Sequence, residues 1–168
     1  MLISYQDGTG TWRAKSSRGI KGSTDWTREK VTITFPADAT STSVIARVSL
    51  EGEQGKAYFD CLQVEDGSIM NRYNLVENPD FSYGLEFWTK NPDMASGDTI
   101  VTLNDASYPK HLEKNAFKVQ GESTKSKNIY QTVFMNGKKG DVFVLGGWAK
   151  ANSVPTDSNR AFRMDIGI

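Results

Sequence analysis

Apolar residues along this chain recur at every second position, and no stretch repeats them at the three- and four-residue spacing of an amphipathic helix. A period of two sends alternate side chains to one face of a strand, so the pattern predicts an all-β chain. Val31, Ile33 and Phe35 alternate with Thr32 and Thr34 until Pro36 removes a backbone donor and stops the run. Val44, Ala46, Val48 and Leu50 share one face while Arg47 and Ser49 take the other. Gly52 and Gly55 then mark a turn into residues 56–64, and the two runs form a hairpin. Residues 2–5 and 12–14 make a shorter pair on either side of Asp7-Gly8 and Gly10, which supply the positive backbone angles of tight turns.

Alternation lapses between Glu65 and Tyr73, around Asp66-Gly67, and this stretch is expected to be a surface connection. A second block begins at Asn74. Residues 90–113 are polar and interrupted by Pro92, Gly97 and Pro109, with a short strand over 99–103. Phe117 and Val119 alternate, as do Ile129, Gln131 and Val133, and Asn136-Gly137 with Gly140 forms a turn. A long strand over residues 142–150 leads to a polar loop through Ser153, Pro155 and Asp157. Phe162, Met164, Ile166 and Ile168 then alternate with Arg163 and Asp165, so that the chain stops inside a strand. Roughly eight to ten short strands separated by turns are the pattern of a β-sandwich or jelly roll. The blocks 1–66 and 74–168, joined by 67–73, do not repeat one another and are expected to build one sandwich together.

The chain's 168 residues give room for one ordinary domain. Twenty basic and twenty acidic side chains cancel, and no run of Lys and Arg is dense enough to suggest a nucleic-acid groove or a membrane patch. The expectation is no nucleic-acid partner and no membrane insertion. No apolar stretch nears the roughly 20 residues of a spanning helix, and no basic-then-apolar leader opens the chain. Cys61 is the lone cysteine, which excludes an internal disulfide framework, and its alternation with apolar neighbours predicts a small buried hydrophobe. His111, the lone histidine, sits in the polar loop away from any Ser or Cys nucleophile pattern. Gly8 and Gly10, like Gly146 and Gly147, lack the following helix of a phosphate-binding loop. No catalytic residue is predicted, and the chain is expected not to be an enzyme.

The run Asn74-Leu-Val-Glu-Asn-Pro-Asp-Phe81, with Gly84 and Trp88, resembles the opening of jelly-roll carbohydrate-binding modules. Tyr130-Gln-Thr-Val133 and Gly140-Asp-Val-Phe-Val-Leu-Gly-Gly-Trp-Ala-Lys-Ala151 resemble their paired central strands. The first block resembles the second half of the same pattern: Asp7-Gly8, Asp25-Trp26-Thr27, Pro36-Ala-Asp-Ala-Thr40 and the closing Ala57-Tyr-Phe-Asp60. Such modules occur in bacterial glycoside hydrolases and in tandem within wall-associated surface proteins with YD repeats. The resemblance implies a galactose-binding-like jelly roll whose halves stand in inverted order. They complete each other within one chain, as a circularly permuted monomer, or between chains, as a head-to-tail exchanged oligomer. It also implies a secreted or cell-surface bacterial protein.

Sugar binding needs aromatic faces for pyranose rings and planar polar groups for hydroxyls. Trp148 shares strand parity with Val142, Val144 and Gly146, opposite Phe143 and Leu145, and is either a stacking platform or a tryptophan buried by a loop. Gln131, Arg163, Asp165 and Tyr5 are the candidate polar floor of the same face. The resemblance places Trp26 and Trp88 in the core. It also implies a structural calcium where opening and closing segments meet, with Asp60, Asp80 and Glu77 as oxygen ligands. Ser82 and Cys61 depart from the family pattern where further carboxylates are common. The function expected on these grounds is non-catalytic binding of a polysaccharide or cell-wall glycan. The alternative is a structural spacer of a large surface protein that binds no sugar.

Overall fold

The computed structural model describes residues 5–6, 12–13, 15–35, 37, 43–67, 73–103, 114–134, 138–156 and 162–167. Every element among them is a strand, and no helix occurs among the described residues. In chain order they are β1 (Tyr5–Gln6), β2 (Trp12–Arg13), β3 (Lys15–Ser16), β4 (Thr27–Thr34), β5 (Ser43–Glu51) and β6 (Lys56–Asp66). After the connection come β7 (Thr89–Lys90), β8 (Thr99–Thr102), β9 (Asn115–Gln120), β10 (Ser126–Phe134), β11 (Val142–Asn152) and β12 (Phe162–Gly167). The all-β expectation holds. The twelve strands among the described residues exceed the eight to ten expected, because two-residue pairings such as β3 and β7 leave no periodicity to read.

Two five-stranded sheets carry the structure, in the orders β3-β12-β5-β10-β7 and β4-β11-β6-β9-β8, and β1 with β2 forms a separate ribbon. All pairings are antiparallel. Strands from the two sequence blocks interleave: β12 lies between β3 and β5, and β11 between β4 and β6. The hairpin expected between β5 and β6 does not form. Both strands exist, but their turn carries the chain from one sheet to the other, so each pairs with strands of the second block.

One core serves both sheets. Val31, Ile33, Phe59, Leu62, Phe143, Leu145 and Ala149 from one meet Val44, Ala46, Val48, Leu50, Ile129, Phe162 and Met164 from the other. Phe59 and Phe162 touch edge to face across the layers, with ring centroids 5.4 Å apart. Gly147 explains the close approach at the centre: a Cβ there would lie 2.7 Å from Leu62 Cδ2 and 2.9 Å from Met164 Sδ. Cys61 departs from its expected buried place. It is half-buried at a positive φ of 47°, where β6 is irregular opposite Gly146 and Trp148 and strict alternation breaks. The expectations at residues 2–4, Asp7-Gly8, Gly10, Pro36, Pro109, His111, Asn136-Gly137, Asp157 and Ile168 lie outside the described residues.

Candidate functional site

The sheet β4-β11-β6-β9-β8 turns one face to the core and the other outward. Phe143, Leu145, Ala149 and Ala151 of β11 belong to the core, so Gly146, Trp148 and Lys150 take the outward parity. The register sets their neighbours. Trp148 stands opposite Arg28 of β4, and Lys150 opposite Tyr58 of β6, whose other neighbour is Lys118 of β9. Lys30 and Gln63 flank Gly146 on its two sides. Tyr58 and Trp148, with Val101 and Leu103, pack around Trp26 and Ala116 in an aromatic cluster outside the main core. Trp26 is buried as expected, but in this outer cluster, whereas Trp88 joins the main core.

The Arg28 guanidinium donates to Gln63 Oε1 at 3.0 Å, although the two residues stand on strands separated by β11. The link crosses over Gly146, where the missing side chain leaves the backbone open to it. Gln63 in turn donates to the Glu65 carboxylate. Lys150 lies 3.7 Å from the Asp25 carboxylate at the margin of the face. Arg28 and Lys30 are exposed, whereas Asp60 and Glu65, carboxylates of β6 on the other side of β11, are buried. The surface offered to solvent therefore combines two half-buried aromatic rings with cations from three strands, Arg28, Lys30, Lys118 and Lys150.

Of the residues expected to form one polar face, Trp148 alone is on this one. Gln131 belongs to β10 in the other sheet and shares the inward parity of Ile129 and Val133. Its amide is used up structurally: Oε1 accepts from Glu77 N at 2.8 Å, and Nε2 donates to Glu77 O at 3.1 Å and Phe87 O at 3.3 Å. Arg163 is on β12, also in that sheet, beside Arg18, whose guanidinium pairs with Glu29 at 2.9 Å. The backbone of Asp165 pairs with Ser16 and Arg47, and that of Tyr5 with Arg13 in the separate ribbon. The sequence placed β10 beside β11 because they follow one another. The chain instead crosses from one sheet to the other between them.

The three residues proposed as calcium ligands do not converge into a ligand set. Asp60 is fully buried and accepts from Cys61 N at 2.6 Å. Asp80 accepts from the backbone and hydroxyl of Ser82 at 3.1 and 2.7 Å, and Glu77 is exposed. Among the described residues no group of three or more His, Cys, Asp or Glu side chains is placed to hold a metal ion.

A second polar cluster went unread in the sequence. Lys127 of β10 is 1% exposed, pairs with the buried Asp98 carboxylate at 3.1 Å and Glu122 at 2.5 Å, and donates to Gln120 O at 2.9 Å. Asp98 also accepts from Gln120 N and Ala95 N, each at 2.7 Å. Burial alone would pull the Lys127 ammonium down, but its hydrogen bonds to Glu122 and Asp98 outweigh that and raise its pKa above the ordinary lysine value. The same hydrogen bond from Lys127 holds the Glu122 carboxyl below its usual range. The signal was present: Lys127 falls on the parity of Ile129 and Val133, where alternation calls for an apolar side chain.

Comparison with known proteins changes the functional expectation. The chain is 30% identical over 162 residues to the tRNA nuclease WapA of Bacillus subtilis strain 168, a match covering 94% of this chain and 7% of that protein. It is equally similar, over the same shares, to the tRNA(Glu)-specific nuclease WapA of Bacillus subtilis subsp. natto strain BEST195. The tRNA3(Ser)-specific nuclease WapA of Bacillus spizizenii is 28% identical over 162 residues, again 94% of this chain and 7% of the relative. The chain thus spans 7% of the length of the curated relatives it matches. No protein-family model and no solved structure matches it significantly.

Those names overturn the expected non-catalytic glycan-binding module, its spacer alternative and their carbohydrate and cell-wall labels. The relatives are named as enzymes, and as enzymes of tRNA. They equally overturn the exclusion of nucleic acid and the polysaccharide partner. The physical reason lies in what charge counting reports. A net charge of zero and the lack of a linear basic run say nothing about how folding distributes the cations. Three strands distant in sequence bring Arg28, Lys30, Lys118 and Lys150 to one face.

Proposed function

We propose that this chain is one module of a tRNA nuclease many times its length. The observation that carries the proposal is the match along 94% of the chain to three proteins that are each named as nucleases of tRNA. What the described face supports is contact with a polyanion. The test is direct: the long polypeptide containing this sequence is incubated with a tRNA pool and the products are resolved on a denaturing gel. Discrete tRNA fragments are expected, and intact tRNA would overturn the proposal.

We further infer that the two sheets form a jelly-roll sandwich read from its middle. Supporting this are the shared core and the interleaving of strands from 1–66 with strands from 74–168. An experimental structure with a different strand connectivity would end that inference. A secreted or surface-attached location, taken from the same resemblance, belongs to the proposal and is read by fractionating cells that express the long polypeptide.

A further inference from the structure

The outward face of β4-β11-β6-β9-β8 alternates rings and cations across its strands. Trp148 has Arg28 directly opposite, and Tyr58 has Lys150 on one side and Lys118 on the other. Neighbouring strands lie about 4.8 Å apart, so the two lysines bracketing Tyr58 stand roughly 10 Å from each other with the ring between them. Lys30, exposed and two residues from Arg28 on the same face, extends the cationic margin. The neighbouring carboxylates Asp60 and Glu65 are buried, 0% and 3% exposed, and the exposed Asp25 lies 3.7 Å from Lys150, so cations outnumber carboxylates on the solvent side of this region.

We propose that this face binds single-stranded RNA, with bases stacked on Trp148 and Tyr58 and phosphates held by Arg28, Lys30, Lys118 and Lys150. The inference rests on the nuclease reading above for its choice of polyanion. Stacking needs unpaired bases, whose faces are free to lie on an aromatic ring, and a duplex buries those faces in its own stack. Lysines and arginines on adjacent strands suit a backbone that tracks across the sheet with one charge per nucleotide. In a tRNA the segments with free base faces are the loops and the 3′ end. An acidic protein would use the cations and leave the rings without partners. A base-free polyanion would do the same, and these are the alternatives to separate.

The experiment uses the 168-residue chain and a fluorescently labelled 12-nucleotide single-stranded RNA, with anisotropy read from low to moderate salt. Saturable binding is expected, with log K falling against log salt at a slope of about −3, some 0.7 for each of four cations. Lys30→Gln combined with Lys118→Gln removes two contacts and lowers the slope by about 1.4. Trp148→Ala weakens binding roughly 5- to 150-fold and leaves the slope as it was. Phe134→Ala, on an exposed ring of the other sheet, binds like the parent. Thermal melts establish that each variant is folded, and the pair Lys30 and Lys118 carries the test if Trp148→Ala melts early.

No saturable binding by the parent, or variants that bind as the parent does, overturns the proposal. Inorganic polyphosphate binding as tightly as the RNA, or a hairpin duplex doing so, overturns the role of stacking. The tRNA-cleavage assay separates the two levels. If the long polypeptide cleaves tRNA while this chain ignores RNA, the face is wrongly assigned and the nuclease reading stands. If this chain binds RNA while the long polypeptide leaves tRNA intact, the nuclease reading fails.

Discussion

Asn78 shows how much one side chain of the opening motif does. Its φ of 47° is a left-handed conformation that asparagine tolerates better than most residues. From there Nδ2 donates to Gly84 O and Glu86 O, each at 3.1 Å, and Oδ1 accepts from Tyr83 N at 3.1 Å. The Asn78 carbonyl accepts from Trp88 Nε1 at 3.2 Å, which fixes the indole beside Phe81, itself 5.9 Å from Phe117 between ring centroids. The motif that resembles the opening of a sugar-binding module is thus a plug held by one asparagine. Asn78→Ala removes three hydrogen bonds made by a side chain that is itself buried, at about 1 kcal/mol for each bond. A loss of about 2–4 kcal/mol in urea unfolding is expected. An unchanged midpoint would mean that the loop holds itself.

Between elements, the Lys127 cluster ties the start of β10 to the end of β9 and to the turn before β8. Lys127→Met leaves the Asp98 carboxylate buried without its cation, and breaking a buried pair in this way costs about 3–5 kcal/mol. Adding Asp98→Asn removes the stranded charge and is expected to restore part of that loss. The pH dependence follows from the two shifted groups. Glu122 is lowered, so its contribution is complete above the ordinary carboxylate range and is lost as pH falls through its folded value. Lys127 is raised, so its contribution is complete below the ordinary lysine value of 10.5 and is lost as pH rises through its higher folded value. The stability gap between parent and Lys127→Met is therefore flat around neutrality and closes at both extremes. A gap that varied between pH 6 and 9 would show that other groups control this cluster.

At the scale of the molecule, the interleaved strand order makes each block dependent on the other. Every strand of β4–β6 pairs with a strand from beyond residue 74. Separate peptides 1–70 and 71–168 are expected to lack cooperative unfolding alone and to gain it on mixing, as read by circular dichroism during heating. Cooperative melting of either one alone would contradict that dependence. The sequence by itself determined the strands: period-two alternation placed β4, β5, β6, β10, β11 and β12 because a half-buried strand shows its two faces to two environments. It also set Trp148 on the parity opposite Phe143 and Leu145, since parity within one strand is local information, and left open whether a loop covers it. Tertiary structure alone decided which strands are neighbours. Gln131 was taken as a floor beside Trp148 and lies in the opposite sheet, and Lys118 reaches the same face from the other side of β6. Pairing joins residues far apart in the chain and is selected by how the whole core closes, so the cationic face has no trace in a linear count of charges.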